Sequence, residues 1–477
     1  MRRRLGRFRA IAAACLVAAA GSCSAAASSL TDEMLAPLAA AYLRAVAPGE
    51  KAERHRELLG AVLRQVERGY AREVNAPALI AAARKALEPL APGSGEPEAV
   101  FARAVNAALG SLDPHSRYLD PRAAAALRSA MRSSFGGLGL QLEMVDGLLR
   151  VVAPLPGTPA ARAGLRSGDL IVRLDDQPVE GMTLEEALSR MRGEPGTPIA
   201  LTIRRSGQEE PLVVSLVREP IRQETVRWSM EAGVLVLRIS SFAAAVSAQI
   251  EQAAAEAAAE GAPRAIVLDL RGNTGGLLRQ AVMTADAFLS GGQIVSLQGR
   301  SAASRRSWRA DASEHFAGVP MVVLIDGRTA SAAELVAAAL QENGRATVMG
   351  QRSFGKGSVQ SLISLGEGKG ALRLTTAFYH GPSGRTVERT GVGPDVELVY
   401  ADGSGTGSRR REAAQGHALP GAGEPVPPKA RLEASRCALA RQDLDPALAC
   451  ALAFVQAGGI EAFVEAFEAA WVEASER

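Results

Sequence analysis

Two segments of this 477-residue chain hold a serine and a lysine that could be made reactive: Arg328-Thr-Ala-Ser-Ala-Ala-Glu334 and Ser353-Phe-Gly-Lys-Gly-Ser-Val-Gln360. A serine hydroxyl is a weak nucleophile until a base takes its proton, and a lysine amine can be that base if burial keeps it neutral. Ser331 and Lys356, 25 residues apart (356 − 331), together suggest acyl transfer without histidine, the chemistry of peptide-bond cleavage. Taken singly, each has a plainer reading. Ser331 follows the apolar run Met321–Ile325 and precedes an amphipathic helix, where a serine is ordinarily a cap. The same place suits a nucleophile, because first-turn N–H groups and the helix dipole favour developing negative charge. Lys356 lies between Gly355 and Gly357, which by itself describes a solvated loop.

A phosphate-binding loop is the main competing use of that lysine, since Gly350-x-x-x-x-Gly355-Lys356 matches its first part. That motif needs Ser or Thr next, for magnesium, and the chain has Gly357. The residues that follow, Ser358-Val-Gln-Ser-Leu-Ile, read as strand rather than helix, against nucleotide binding. Asp269-Leu-Arg-Gly-Asn-Thr-Gly275-Gly276 closes a buried-type strand and opens a helix. Its paired glycines can aim backbone N–H groups at an oxyanion, although a tight strand–helix turn needs glycines too.

The elements that must position these groups alternate from residue 225 onward. Strands are expected at Val234–Ile239, Ala265–Leu270, Met321–Ile325 and Leu372–Tyr379, and helices at Val246–Glu260, Leu277–Leu289 and Ala332–Asn343. Residues 28–120 read as helical, with Leu58, Leu59, Val62, Leu63, Val66 and Tyr70 at helical spacing. Residues 134–220 read as short strands with Gly/Pro turns and one helix, Thr183–Arg192. Residues 403–429 have linker composition, and residues 430–477 read as helical again, with Asp445-Pro446 starting one helix and Gly458-Gly459 separating two. There Ile460, Phe463, Val464, Phe467 and Trp471 form an apolar stripe, read as packing on the body of the protein or as a homodimer contact. The fold class is therefore multi-domain α/β, which the length, at 47% hydrophobic residues, readily supports.

The N-terminus reads as an export signal at residues 1–27: a basic start, the apolar run Ile11–Ala20, and small residues. Ten apolar residues are too few to span a bilayer. Cleavage after Ala25-Ala26-Ala27 would release a soluble protein; the alternative is acylation of Cys23 in Ala20-Gly21-Ser22-Cys23. The first route is favoured, because a lipobox usually begins with Leu. Export to a bacterial periplasm or cell envelope leaves Cys437 and Cys450 either as one disulfide or as two buried thiols. The absence of CxxC and Cys/His clusters argues against structural zinc, and the net charge of +3, without a basic aromatic stripe, against nucleic acid.

In this order the pieces resemble the carboxyl-terminal processing peptidases, or tail-specific proteases. The resemblance runs from about residue 55 to 400 and rests on six motifs. They are Leu112-Asp-Pro-His-Ser-Arg-Tyr-Leu119, Phe135-Gly-Gly-Leu-Gly-Leu140, Gly157–Asp169, Asp269–Gly276, Thr329–Glu334 and Ser353–Gln360. Each motif alone is weak to moderate. The resemblance implies an α/β serine-peptidase core at 225–400 carrying an inserted PDZ-like module at 134–220. It implies Ser331 as nucleophile, Lys356 as general base and Gln360 as the group orienting the amine. The oxyanion hole would be the N–H of Ala332 with that of Gly275 or Gly276. The loop Gly137-Leu138-Gly139-Leu140 would hold a substrate's terminal carboxylate, and Leu184, Leu188 and Met191 would line the groove. His115, Asp113 and Asp120 would be turn and capping groups. Thr329 stands where the family more often has Ser. No metal or cofactor is implied. Partners would be proteins with accessible C-termini, and an activating or adaptor protein. A rival reading is a catalytically silent PDZ adaptor of the cell envelope.

Overall fold

The computed structural model describes residues 30–131, 134–222, 224–311, 314–400, 426–437 and 444–475. The expected leader with Cys23, and residues 403–425 of the expected linker, lie outside the described residues. Four helices come first: α1 (Asp32–Ala45), α2 (Glu50–Gly69), α3 (Ala76–Leu87) and α4 (Pro97–Gly110). The helical spacing in α2 has its expected consequence, since Leu59, Val62, Leu63 and Val66 are all buried. Strand β1 (Arg117–Leu119) and helix α5 (Pro121–Met131) follow; neither has a sequence signal strong enough to be expected.

The β-rich unit comprises β2 (Ser134–Gly137), β3 (Leu140–Val145), β4 (Leu148–Pro154), α6 (Pro159–Arg162), β5 (Leu170–Leu174), β6 (Gln177–Pro178), α7 (Leu184–Met191), β7 (Pro198–Arg204), β8 (Leu212–Val217) and β9 (Glu219–Arg222). Its sheet runs β3-β4-β5-β7-β8, with β6 on β5. Its first and last strands, β2 and β9, pair antiparallel with Ser134 opposite Arg222, so the chain enters and leaves through one two-stranded neck.

Then come β10 (Val226–Glu231), β11 (Val234–Ile239), α8 (Val246–Glu260), β12 (Ala265–Asp269), α9 (Leu278–Ala287), β13 (Gln293–Gln298), β14 (Arg306–Arg309), β15 (Met321–Ile325), α10 (Ala332–Glu342), β16 (Thr347–Gly350), β17 (Ser358–Ser364), β18 (Ala371–His380) and β19 (Val396–Val399). The chain ends in β20 (Ala430–Glu433), α11 (Ala434–Cys437), α12 (Pro446–Ala457) and α13 (Ile460–Ser475). The large sheet runs β10-β11-β12-β15-β16-β19-β20, parallel from β11 onward. Residues β12 and β15 are buried throughout, as strands covered on both faces must be. Along β11, Leu235 and Leu237 face a core shared with α8, α9 and α10, while Val234 and Val236 face one shared with α12 and α13.

A second, five-stranded sheet runs β1-β18-β13-β14, with β17 on β18. Leu372 and Leu374 of β18 belong to the apolar cluster of α1–α4, so the helical region packs directly on this sheet. The tail differs from the expectation of helix from residue 430. Ala430–Glu433 is a strand, added parallel to β19. Four residues with charges at Arg431 and Glu433 carry no strand signal of their own; the free edge of β19 makes them one. Phe463 and, partly, Ile460, Val464 and Phe467 pack into the core under α12. Among the described residues no single helix is long and apolar enough to cross a bilayer.

Cys437 and Cys450 are joined as a disulfide with a sequence separation of 13. Closing a loop of this size restricts the unfolded chain by about 3 kcal/mol. Replacing both cysteines with serine should lower the unfolding free energy by a comparable amount, read as a urea midpoint below that of the oxidised wild type. An unchanged midpoint would show the cross-link to be energetically idle.

Candidate active site

The turns after β12 and β15 lie side by side at the carboxyl edge of the parallel sheet, where open α/β folds collect their ligands. Asp269 ends β12, and its oxygens accept from Arg238 Nη1 at 2.6 Å and from Arg271 Nε at 2.9 Å and Nη2 at 2.9 Å. Asp326 follows β15 directly, and its Oδ1 accepts from Gly272 N–H at 3.0 Å, Arg328 N–H at 2.9 Å and Thr329 N–H at 2.9 Å, stitching the two turns together. The Thr329 hydroxyl, at the position where the family more often has Ser, donates to Leu270 O at 2.9 Å and is fully buried.

Asn273 is the second stitch. Its Nδ2 donates to Ile239 O at 2.9 Å, its Oδ1 accepts from Gly275 N–H at 2.9 Å, and its carbonyl accepts from Ala330 N–H at 2.9 Å. Gly275 then lies against the serine. A Cβ there would be 2.8 Å from Ala330 O, 2.9 Å from Ser331 Cβ and 3.0 Å from Ala332 N, so no larger residue fits. Ser331 itself has φ 57° and ψ −118°, left-handed backbone that a non-glycine residue adopts only under constraint. This is the sharp strand–turn–helix geometry that lifts a side chain out of a sheet.

Lys356 comes from the other sheet, in the loop leading into β17, and Gln360 lies on that strand. Lys356 Nζ donates to Gln360 Oε1 at 2.6 Å. Gln360 Nε2 in turn donates to Ser358 Oγ at 3.1 Å and to Thr375 Oγ1, on β18, at 3.2 Å. Gly357, which breaks the phosphate-loop pattern, sits so close to Glu388 N that a Cβ would be 2.8 Å away.

Glu334 joins the two halves. Fully buried in the first turn of α10, its carboxylate accepts four bonds: Ser331 N–H at 2.7 Å, Lys356 N–H at 2.8 Å, Gly355 N–H at 2.7 Å and Ser353 Oγ at 2.5 Å. Burial pushes this carboxyl up to about 7, opposed by the four donors. Tyr379 completes the join from β18, its hydroxyl 3.0 Å from Ser331 O and 2.9 Å from Lys356 O. Burial also raises the Tyr379 phenol well above its usual range, so it stays a donor.

Ser331, Ala332, Lys356 and Gln360 line one cavity of about 620 Å³, together with Gly275, Gly276 and Tyr379. Leu127 and Met131 of α5 form part of its wall. Asp113 and Asp120 occupy the turn and cap positions expected: Asp113 Oδ1 accepts from the N–H groups of His115 and Ser116, and Asp120 Oδ1 from Ala123 N–H. Ser116 Oγ bonds Asp113 Oδ2 at 2.6 Å and lies 3.3 Å from Thr375 Oγ1, so this turn reaches the support behind Gln360.

In the β-rich unit Leu138 is buried, and its carbonyl accepts from Ala160 N–H at 3.0 Å, while Gly139 has φ 74° and its carbonyl accepts from Leu155 N–H at 2.8 Å. Gly137 ends β2 and Leu140 starts β3. On α7, Leu184 and Leu188 are half-buried, but Met191 is 5% exposed in the unit's core rather than lining a groove. Helical phase explains the difference: Met191 lies four residues after Ala187, on the same inward face. Among the described residues no three His, Cys, Asp or Glu side chains converge as a metal site would.

Asn273 and Glu334 lie inside the quoted motifs, yet nothing in their spacing marks their partners, and Asp326 lies just ahead of one. Thr375 and Tyr379 lie outside the motifs altogether. Glu334→Gln presents an amide to four donors and should lower kcat by about 100-fold, with KM changed less, as expected when one hydrogen bond in a water-excluded site is lost. Because the folded carboxyl titrates near 7 and the ordinary one at 4.5, the folded protein holds a proton that the unfolded chain has released between those pH values. This contribution to stability is fully present below 4.5 and lost as pH rises towards 7. The stability advantage of the wild type over Glu334→Gln should therefore shrink over that window in urea titrations.

Residues 233–398 match the family model for peptidase family S41, and residues 150–205 match that for the PDZ domain. The carboxy-terminal-processing protease of Bartonella bacilliformis is 44% identical over 297 residues, covering 61% of this chain and 68% of that one. The carboxy-terminal processing protease CtpA of Bacillus subtilis is 33% identical over 291 residues, covering 61% and 62%. The carboxyl-terminal-processing protease of Picosynechococcus sp. is 35% identical over 290 residues, covering 59% and 69%. With a PDZ domain inside an α/β peptidase fold and relatives at this identity, the chain belongs to the carboxy-terminal-processing proteases, serine-type peptidases of family S41.

Proposed function

We propose that this protein is an exported endopeptidase that binds the C-terminal tails of protein substrates through its PDZ domain and cleaves them at Ser331. The observation that carries this reading is the pairing of Lys356 Nζ with Gln360 Oε1 at 2.6 Å in the cavity that Ser331 also lines. In the proposed cycle Lys356 takes the Ser331 proton as Oγ attacks the peptide carbonyl, then delivers it to the leaving amine. The resulting acyl-enzyme is released by water. Gln360 holds the amine through its oxygen, fixed by Ser358 and Thr375 behind it.

The negative oxygen formed in each step would be met by the N–H of Ala332, at the start of α10, and by that of Gly276. Gly276 is favoured over Gly275 because the Gly275 N–H already donates to Asn273 Oδ1. Tail binding would use the Gly137–Leu140 loop, with Leu184 and Leu188 on α7. Export to the periplasm or cell envelope, as a soluble protein rather than one anchored at Cys23, rests on the first 27 residues.

Ser331→Ala should abolish cleavage of an unfolded protein substrate, a loss on the order of 10⁴-fold or more. Cleavage at the wild-type rate would refute the assignment. A serine-directed phosphonate probe should label the wild type at Ser331 and fail to label Lys356→Ala. An unlabelled wild type would favour the silent PDZ adaptor instead. Amidating a substrate peptide's C-terminus should weaken its capture by the PDZ domain about 10-fold or more, since a charge-assisted bond is removed; equal capture of both forms would remove tail recognition from the proposal.

A further inference from the structure

We propose that Arg373 is a carboxylate-recognition site within the catalytic cavity, selecting substrate chains that carry an anionic group a short distance from the bond cut at Ser331. The inference rests on the reading of Ser331 as the nucleophile and adds to it the chemistry of the substrate. Arg373 lies on β18 and lines the same cavity as Ser331, Lys356 and Gln360. The residues lining that cavity include two cations, Lys356 and Arg373, and no carboxylate.

Arg373 differs from three other part-buried arginines of the protein. Arg205, Arg271 and Arg345 each face a carboxylate within 2.9 Å. Among the described residues Arg373 has no such ion pair; its Nε donates to His115 O at 3.0 Å. Its cross-strand neighbour is a second cation, Arg117. Asp113 contributes a compensating field, but its oxygens accept from His115 N–H, Ser116 N–H and Ser116 Oγ. Burial and Arg117 push the guanidinium below its usual range, though it stays charged. A partly desolvated cation without an ion pair is costly, and part of that cost is recovered when an anion enters. The guanidinium fork suits a carboxylate, with apolar walls supplied by Leu127, Met131 and Leu362.

The position of Arg373 says where that anion belongs. It precedes by two residues Thr375, which touches Gln360, so the two side chains leave β18 on one face about 7 Å apart. The carboxylate therefore sits one strand repeat beyond the lysine–glutamine pair, not at the attacked carbonyl. It is either an Asp or Glu side chain near the cleaved bond or the α-carboxylate of the chain end itself.

The test uses the full-length enzyme and a neutral peptide that it cleaves, with Glu or Gln placed in turn at each position flanking the scissile bond. Each peptide is made with a free and with an amidated C-terminus. At one position, or at the free terminus, the wild type should prefer the anionic peptide in kcat/KM by about 10-fold or more. Arg373→Gln should abolish that preference, Arg373→Lys should retain part of it, and Arg373→Glu should reverse it in favour of a Lys-containing peptide. A preference for a Glu position identifies the side chain; a preference for the free terminus that Arg373→Gln removes identifies the chain end, whereas one that persists belongs to the PDZ domain and counts against Arg373. A wild type labelled at Ser331 but indifferent to charge at every position overturns the Arg373 assignment alone. A wild type that the serine probe does not label overturns the nucleophile reading beneath it.

Discussion

A single buried carboxylate holds the two halves of this site together. Glu334 accepts the main-chain N–H of Ser331 from one sheet and that of Lys356 from the loop feeding the other. Tyr379 bridges the carbonyls of the same two residues from the opposite side. Both backbones are thus clamped through donors and acceptors alike, leaving the side chains to face the cavity. The four N–H and O–H donors around this carboxyl are what make it tolerable in a fully buried place.

The strain at Ser331 has a source in this arrangement. Its φ of 57° is imposed from three directions: the Asp326 turn behind it, Asn273 O holding Ala330, and Gly275 pressed against its Cβ. Positive φ at a non-glycine residue costs on the order of 1–3 kcal/mol, so the surrounding bonds must outweigh it. They are nearly all buried and mutually supporting, a setting in which each is stronger than in water. The lysine side is built less on strain than on relay. The turn at Asp113, at the end of the helical region, supports Ser116, which meets Thr375, which meets Gln360, which meets Lys356. The N-terminal helices are therefore mechanically continuous with the candidate base.

The PDZ unit joins the remainder through the β2–β9 neck, with α5 immediately before it. Because α5 also contributes Leu127 and Met131 to the cavity wall, the same short helix touches the candidate site and leads into the PDZ unit. Across the molecule, the large sheet is extended by β20 and covered by α12, whose cap Asp445 pairs with Arg271 beside Asp269. The C-terminal elements thus touch the frame that supports the two turns.

Local sequence was enough for the elements whose signals are periodic or capped. The helices after Ser331, over Val246–Glu260 and after Asp445-Pro446, and the all-apolar strands Ala265–Asp269 and Met321–Ile325, follow from spacing and burial that any compact fold must respect. The residue types at 331 and 356 suggested acyl transfer, and the order of the motifs around them pointed to the family to which the chain belongs. Contacts between distant segments were beyond its reach. Strands as short as Arg117–Leu119 and Ala430–Glu433 exist because an open sheet edge accepts them. The pairing of Cys437 with Cys450 could not be chosen over free thiols from spacing alone. Met191 sits inward because helix phase is fixed by the core it meets. Glu334, Asn273, Thr375 and Tyr379 acquired their roles only when four separate segments converged, since a hydrogen bond is decided by distance and direction in space, which a one-dimensional string of residue types does not contain.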